Sequence, residues 1–142
     1  MIMEKDVIKT RIEEACNSLY GENHRIIENQ THERTISSRL AHRYLEPLFP
    51  GWNVDVEYNR EGNGGESKRG MSGELQVPDI IIHTRGVKAG PNLVAIQVKG
   101  YWNSEDRNID EAKLRSLKDN KNYFLLYRLE LKPDSFKFKE VN

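Results

Sequence analysis

Cysteine is almost missing from this chain. Cys16 is the only one in 142 residues, which excludes an internal disulfide and any cysteine-rich zinc site. It lies on the apolar side of a helical pattern and reads as a buried thiol. Long apolar runs are missing as well, since none approaches the roughly 20 residues that span a membrane. The N-terminus, MIMEKDVIKT, has no apolar core of the kind a secretory signal carries, so the expectation is a cytoplasmic protein with no membrane contact. Nor is there an excess of one charge. The 22 basic residues balance the 22 acidic ones. That argues against a binder whose affinity comes from a net basic surface, but leaves room for a local basic groove. Internal repeats, linkers and low-complexity tracts are absent too. What is present is patterned Ile, Val and Leu over 142 residues, enough for one domain with a real core.

Residues 4–20 place Val7, Ile8, Ile12, Ala15, Cys16 and Leu19 at three- and four-residue steps. This is an amphipathic helix, and Gly21 is expected to end it. A second helix starts near Asn29–Thr31, with Thr31 as N-cap, and runs to about Glu46, before Pro47 and Pro50. Its apolar stripe is Ile36, Leu40, Tyr44 and Leu48. WNVDVEYN (52–59) alternates apolar and polar residues as a half-buried strand does. Five glycines among charged residues make 60–76 a long loop. VPDIIIH (77–83) and NLVAIQV (92–98) are apolar strands joined by a turn with Gly86 and Gly90; Pro78 is admissible only at the first one's start. NIDEAKLRSLKDN (108–120) is a third helix, YFLLYRLEL (123–131) a strand and SFKFKEV (135–141) an alternating edge strand. Trp52, Tyr123, Phe124, Phe136 and Phe138 read as core. The order α-α-β-β-β-α-β-β describes one α/β domain over 1–142 with a mixed β-sheet flanked by helices, 1–28 forming an N-terminal helix and connector.

The stretch AIQVKG (95–100) carries an amide and an ammonium on an otherwise apolar strand. Residues i and i+2 share a face, so Gln97 and Lys99 point one way while Ile96 and Val98 pack the other way. If 77–83 and 92–98 form an antiparallel hairpin, Asp79 comes beside that pair at one end of the sheet. Taken alone, Asp79 reads as a turn residue after Pro78, and Lys99 as a strand-end lysine reaching for water. Together, a carboxylate, an amide and an ammonium on apolar strands are costly to place without a use.

Pro78-Asp79 followed by Gln97-Val98-Lys99 resembles the PD-(D/E)xK nuclease superfamily, over roughly residues 29–118. The neighbourhood THERTISSRLAHRYLE…GWNVDVEYNR is similar to that of small restriction-endonuclease-like proteins. The resemblance implies a restriction-endonuclease-like fold and a metal-dependent DNA endonuclease. Asp79 and Gln97 would hold Mg²⁺ (or Mn²⁺) with the Val98 carbonyl, Lys99 would position the attacking water and the phosphate, and a helix glutamate would complete the site. Glu33 suits that last role because it lies in line with Ile36 and Leu40. Gln97 departs from the acidic consensus and is closer to the QxK of Mrr-type type IV restriction endonucleases. Its carbonyl still offers an oxygen to a hard cation, with one negative charge fewer. Two readings of Gln97 stay open here: a working variant, or an inactivating change that leaves a module binding nucleic acid or a partner complex without cutting. Lys99 would hold the phosphate, or accept a proton if burial lowers its pKa.

Strand geometry brings the 60–76 loop, with Arg60, Lys68 and Arg69, over the same rim as Tyr101 and Trp102. Basic groups beside aromatics suit a phosphate backbone and unstacked bases. For Tyr101 and Trp102 the plainer expectation is apolar cover over the sheet end. EGNGGESKRG fails the spacing of a phosphate-binding P-loop. His24, His32 and His42 read as surface residues, His83 as a core or turn residue, Glu57 and Glu74 as reserve ligands, and Asp110 with Lys113 as a solvated helix face. DNA is the expected partner, and the small surface of one domain fits a homodimer for cutting two strands.

Overall fold

A computed structural model describes residues 3–56, 78–84, 92–121 and 123–141, with the backbone alone at 118–121. The first helix, α1 (Lys5–Glu28), buries Ile8, Ile12, Ala15, Cys16, Leu19 and Ile27. Val7 does not belong to that stripe and is 39% exposed. The helix also runs on past Gly21, through a kink at Asn23 where φ is −129° and ψ 32°. The chain turns only at Gln30, whose φ of 51° is left-handed. There the Gln30 N–H donates to the Ile27 carbonyl at 3.1 Å and the Thr31 N–H to the Ile26 carbonyl at 3.0 Å. This pair of bonds is a Schellman closure.

Because the Thr31 backbone closes α1, Thr31 is not the N-cap of the next helix. His32 takes that place, its Nδ1 accepting the Arg34 N–H at 3.2 Å. Helix α2 (Glu33–Arg39) then widens into a π-helical segment (Leu40–Leu45) and a short 3₁₀ turn (Glu46–Leu48). The Glu46 N–H donates to the Ala41 carbonyl five residues back, the π spacing, and Pro47 has no N–H to continue the ladder. Ile36, Leu40 and Tyr44 are buried as expected, Leu48 only partly.

Among the described residues five strands pair in sequence order: β1 (Asn53–Val56), β2 (Ile80–His83), β3 (Asn92–Gly100), β4 (Tyr123–Leu131) and β5 (Phe136–Glu140). Pairing is antiparallel except between β3 and β4, which run parallel and are joined by α3 (Arg107–Lys121). A parallel pair needs such a crossover. The architecture is therefore α/β, with an open mixed sheet and helices on its faces. Ile80, Ile82, Val94, Ile96 and Val98 pack with α1, α2 and the π segment in the main core. Ile81, Ala95 and Leu126 pack with Leu114 and Leu117 of α3 in a smaller one. Tyr123 is buried, and Trp52, Phe136 and Phe138 are partly buried against the main core. Phe124 was expected in the core and is 47% exposed; on its strand face it is Leu126 that packs under α3.

Two outcomes test this description. A non-glycine residue in the left-handed region costs roughly 1–2 kcal/mol, partly offset by the entropy glycine loses on folding. Gln30→Gly should therefore raise the unfolding free energy by about 0.5 kcal/mol in urea titrations. Burial lifts the Cys16 thiol from 9.0 to about 12, helped by nearby Glu13. A folded value above the unfolded one stabilises the fold below pH 9, and that contribution is lost as pH rises through about 12. At pH 8 a thiol reagent should label the native protein at least roughly a thousandfold more slowly than the protein in denaturant.

Candidate active site

Strand β3 has a backbone partner in β2 only as far as Ile96, which lies opposite Ile80. In a strand the N–H and C=O of one residue face the same edge, and residue i+2 repeats the direction. The N–H groups of Val98 and Gly100 therefore face the β2 side past the start of β2. Two carboxylates answer them there. The Val98 N–H donates to Asp79 Oδ2 at 2.7 Å, and the Gly100 N–H to Glu33 Oε2 at 2.6 Å. Pro78, with no N–H, cannot carry the ladder further, so the side chain of Asp79 takes over from the backbone. Glu33 reaches the rim because it is the first residue of α2.

The Val98 carbonyl points out of the same edge, between the two carboxylates. Asp79, Glu33, Gln97 and that carbonyl offer only hard oxygen donors, the class Mg²⁺ and Mn²⁺ prefer. The two anchored oxygens sit on N–H groups about 6.6 Å apart along the strand, too far to share one ion at about 2.1 Å from each. A cation would be held by the carboxylates' remaining oxygens, with water completing its shell. Among the described residues no group of three or more His, Cys, Asp or Glu side chains could hold a metal. Among the described residues the candidate set contains two acids, so an ion there would depend also on the amide, the carbonyl and water, which suits Mg²⁺. Glu33 opens onto a depression of about 550 Å³ that His32, Trp102, Asn103 and Ser104 also line.

Comparison with protein-family models, curated proteins and solved structures returns no match. The site rests on its own geometry.

Gln97 and Lys99 share the sheet face that α3 covers, as their spacing requires. Gln97 is half-buried and stands opposite Arg128 of β4. Lys99 is 3% exposed, and its ammonium is not turned to an open cleft. It lies 2.7 Å from Glu105 Oε1 and 3.2 Å from Asp110 Oδ2. Burial pulls its pKa down, but the two carboxylates push harder and the net direction is up. The proton-acceptor role considered for Lys99 is therefore replaced by that of a permanent cation. Asp110 is fully buried rather than part of a solvated face. Burial raises its pKa against the pull of Lys99, and neither of its oxygens makes a well-formed hydrogen bond among the described residues. The Lys99 hydrogen bond holds Glu105 below the usual carboxylate range.

Three partners were not visible as site residues in the sequence. Asn103 donates to both Glu33 oxygens at 3.3 Å and accepts the Glu105 N–H at 2.9 Å. Glu105 and Asp110 hold Lys99. One signal was available: all three lie within eleven residues after Lys99, where β3 gives way to α3 on the same rim. The Trp102 indole lies so close over Gly100 that a Cβ there would come within 2.5 Å of it. Trp102 packs against the main core, which is the apolar cover expected, while Tyr101 is 36% exposed and meets its ring edge-on at 5.1 Å. Arg60, Lys68, Arg69, Glu57 and Glu74 lie outside the described residues. His83 is buried, and its Nε2 lies 2.7 Å from Asp55 Oδ2, a pairing of β2 with β1.

Removing one partner of a buried ion pair leaves the other charge stranded. Lys99→Met should cost about 3–5 kcal/mol in unfolding free energy. Adding Asp110→Leu should recover most of that loss. Purely additive single and double variants in denaturant titrations would show that the pair is not the coupled unit described.

Proposed function

We propose that this chain is a divalent-metal-dependent DNA endonuclease of restriction-endonuclease-like fold. The observation that carries the reading is the convergence of Asp79 and Glu33, from separate elements, on alternate N–H groups of the strand bearing Gln97 and Lys99. The mixed α/β sheet with its parallel β3–α3–β4 unit supports the reading. A bound Mg²⁺ or Mn²⁺ supplies Lewis-acid polarisation of a phosphoryl oxygen. Asp79 and Glu33 supply the negative charge that holds the cation, and Gln97 and the Val98 carbonyl add neutral oxygens. Lys99, once Glu105 lets its ammonium go, would bring positive charge toward where phosphoryl charge grows. A homodimer would supply the second copy needed to cut both strands of a duplex.

One observation favours a second reading. Lys99 is already paired with two carboxylates, which spends its charge inside the protein. With Gln97 in place of an acid, the chain would then be a nuclease-fold module that binds nucleic acid and cuts weakly or not at all.

Nicking of supercoiled plasmid with Mg²⁺ or Mn²⁺ separates the two. The endonuclease reading expects metal-dependent nicking, reduced roughly 100-fold or more by Asp79→Asn. Gln97→Glu should strengthen cation holding and raise the rate. No nicking by the wild type, with nicking gained by Gln97→Glu, assigns the second reading. DNA left uncut by both proteins overturns the nuclease site.

A further inference from the structure

The solvent side of α2 and the π segment carries a groove of about 810 Å³, lined by Arg34, Thr35, Ser38, Arg39, His42 and Arg43. Not one carboxylate is among them. That is unexpected in a chain with as many acidic as basic residues. The six residues form two rows at four-residue steps, Arg34-Ser38-His42 and Thr35-Arg39-Arg43, opposite the buried Ile36-Leu40-Tyr44 row. On a solvated helix face, i and i+4 positions usually alternate in sign, because unlike neighbours attract and like ones repel. Here Arg39 and Arg43 are both cationic four apart.

Around Arg39 and Arg43 the compensation is weak. Arg39 donates to the neutral Asn23 Oδ1 at 2.8 Å. Arg43 lies 3.6 Å from Glu22, but both side chains are mostly exposed, and such pairs contribute little. His42 meets Glu46 at 3.1 Å beyond the groove's end. The Arg39–Arg43 stretch of the groove therefore keeps much of its positive charge. Guanidinium forks and hydroxyls are the donor types that take phosphate oxygens. From Arg34 to Arg43 the helix rises roughly 13 Å, the axial length of roughly four phosphates on one strand of duplex DNA. The π turn widens the helix inside this span, and such turns are concentrated at functional sites. Arg34 also follows Glu33 directly, so the groove starts where the candidate active site ends.

We infer that this groove tracks the phosphodiester backbone of DNA and leads it to the Glu33 rim. The inference rests on the nuclease-fold reading, and it names the surface that holds the substrate.

The test is fluorescence anisotropy with a labelled 20-base-pair duplex in EDTA, so that binding is read apart from metal and cutting. The wild type should bind with a steep salt dependence. Arg34→Gln/Arg39→Gln/Arg43→Gln should bind roughly tenfold or more weakly, with a log–log salt slope flatter by about 2 to 3. Ser38→Glu leaves every arginine in place, guards against misfolding of the triple variant, and should also weaken binding. If the triple variant and Ser38→Glu both match the wild type in affinity and slope, the groove is not the DNA surface, whatever the nicking result. If DNA binds through the groove and is never cut, this inference stands and the catalytic reading falls. A wild type that binds anionic vesicles but no duplex, even at low salt, overturns the nucleic-acid assignment and the inference with it.

Discussion

Two side-chain carboxylates finish a β-sheet ladder that backbone leaves open. Past Ile96 the β2-facing edge of β3 would present the Val98 and Gly100 N–H groups to nothing, and an unanswered backbone donor in a buried setting is costly. Asp79 and Glu33 resolve that cost with charged acceptors, whose hydrogen bonds are the stronger kind. The same arrangement concentrates negative charge on one rim of a sheet whose interior is apolar. Structure and candidate chemistry thus share two hydrogen bonds. The Schellman closure at Gln30 and the His32 cap matter for the same reason: they fix where α2 begins, and so where Glu33 stands.

A second layer of polar contacts lies under that rim. Asn103 links Glu33 to the turn before α3, and Glu105 and Asp110 hold Lys99 from the far side. Arg107 donates to the Asn103 and Glu105 carbonyls at 2.6 and 2.7 Å, stitching the turn from inside. Farther along α3, Glu111 gathers Arg128 at 3.1 Å, Lys139 at 3.0 Å and Arg115 at 3.2 Å. The first turn of α3 therefore meets the sheet through ion pairs, and its later turns meet it through Leu114 and Leu117. Buried pairs of this kind set register more than they add stability. For Lys99 the consequence is functional: its charge reaches a substrate only to the extent that Glu105, which is half exposed, lets it go.

Periodicity made most of the fold legible. The apolar run 123–131 marked the bounds of β4, and the three- and four-residue steps marked the buried stripe of α1 apart from Val7. Boundaries failed where a local device outweighed composition. Gly21 looked like a helix stop, but nothing there demands a left-handed backbone, and the helix continues to a glutamine that adopts one. Of the site, the shared strand face of Gln97 and Lys99 and the nearness of Asp79 followed from the rigid two-residue repeat of paired strands, whereas Glu33 was singled out through the resemblance. What Lys99 touches did not follow. Glu105 and Asp110 reach it only through the path of a turn and the rotation of α3, which no short-range pattern encodes. The basic groove of α2 was not singled out from the sequence, since its two rows emerge only once the helix and its π turn are drawn together.

The account turns on whether Asp79 and Glu33 together hold one divalent cation. Their isosteric amides keep an oxygen for the strand N–H groups and lose only the charge, so Asp79→Asn and Glu33→Gln separate the cap from the ion. Calorimetric titration of Mn²⁺ into the wild type should report one site, weakened roughly 10- to 100-fold in each variant with unchanged circular dichroism. Equal Mn²⁺ affinity in all three proteins, or no binding by the wild type, would contradict it.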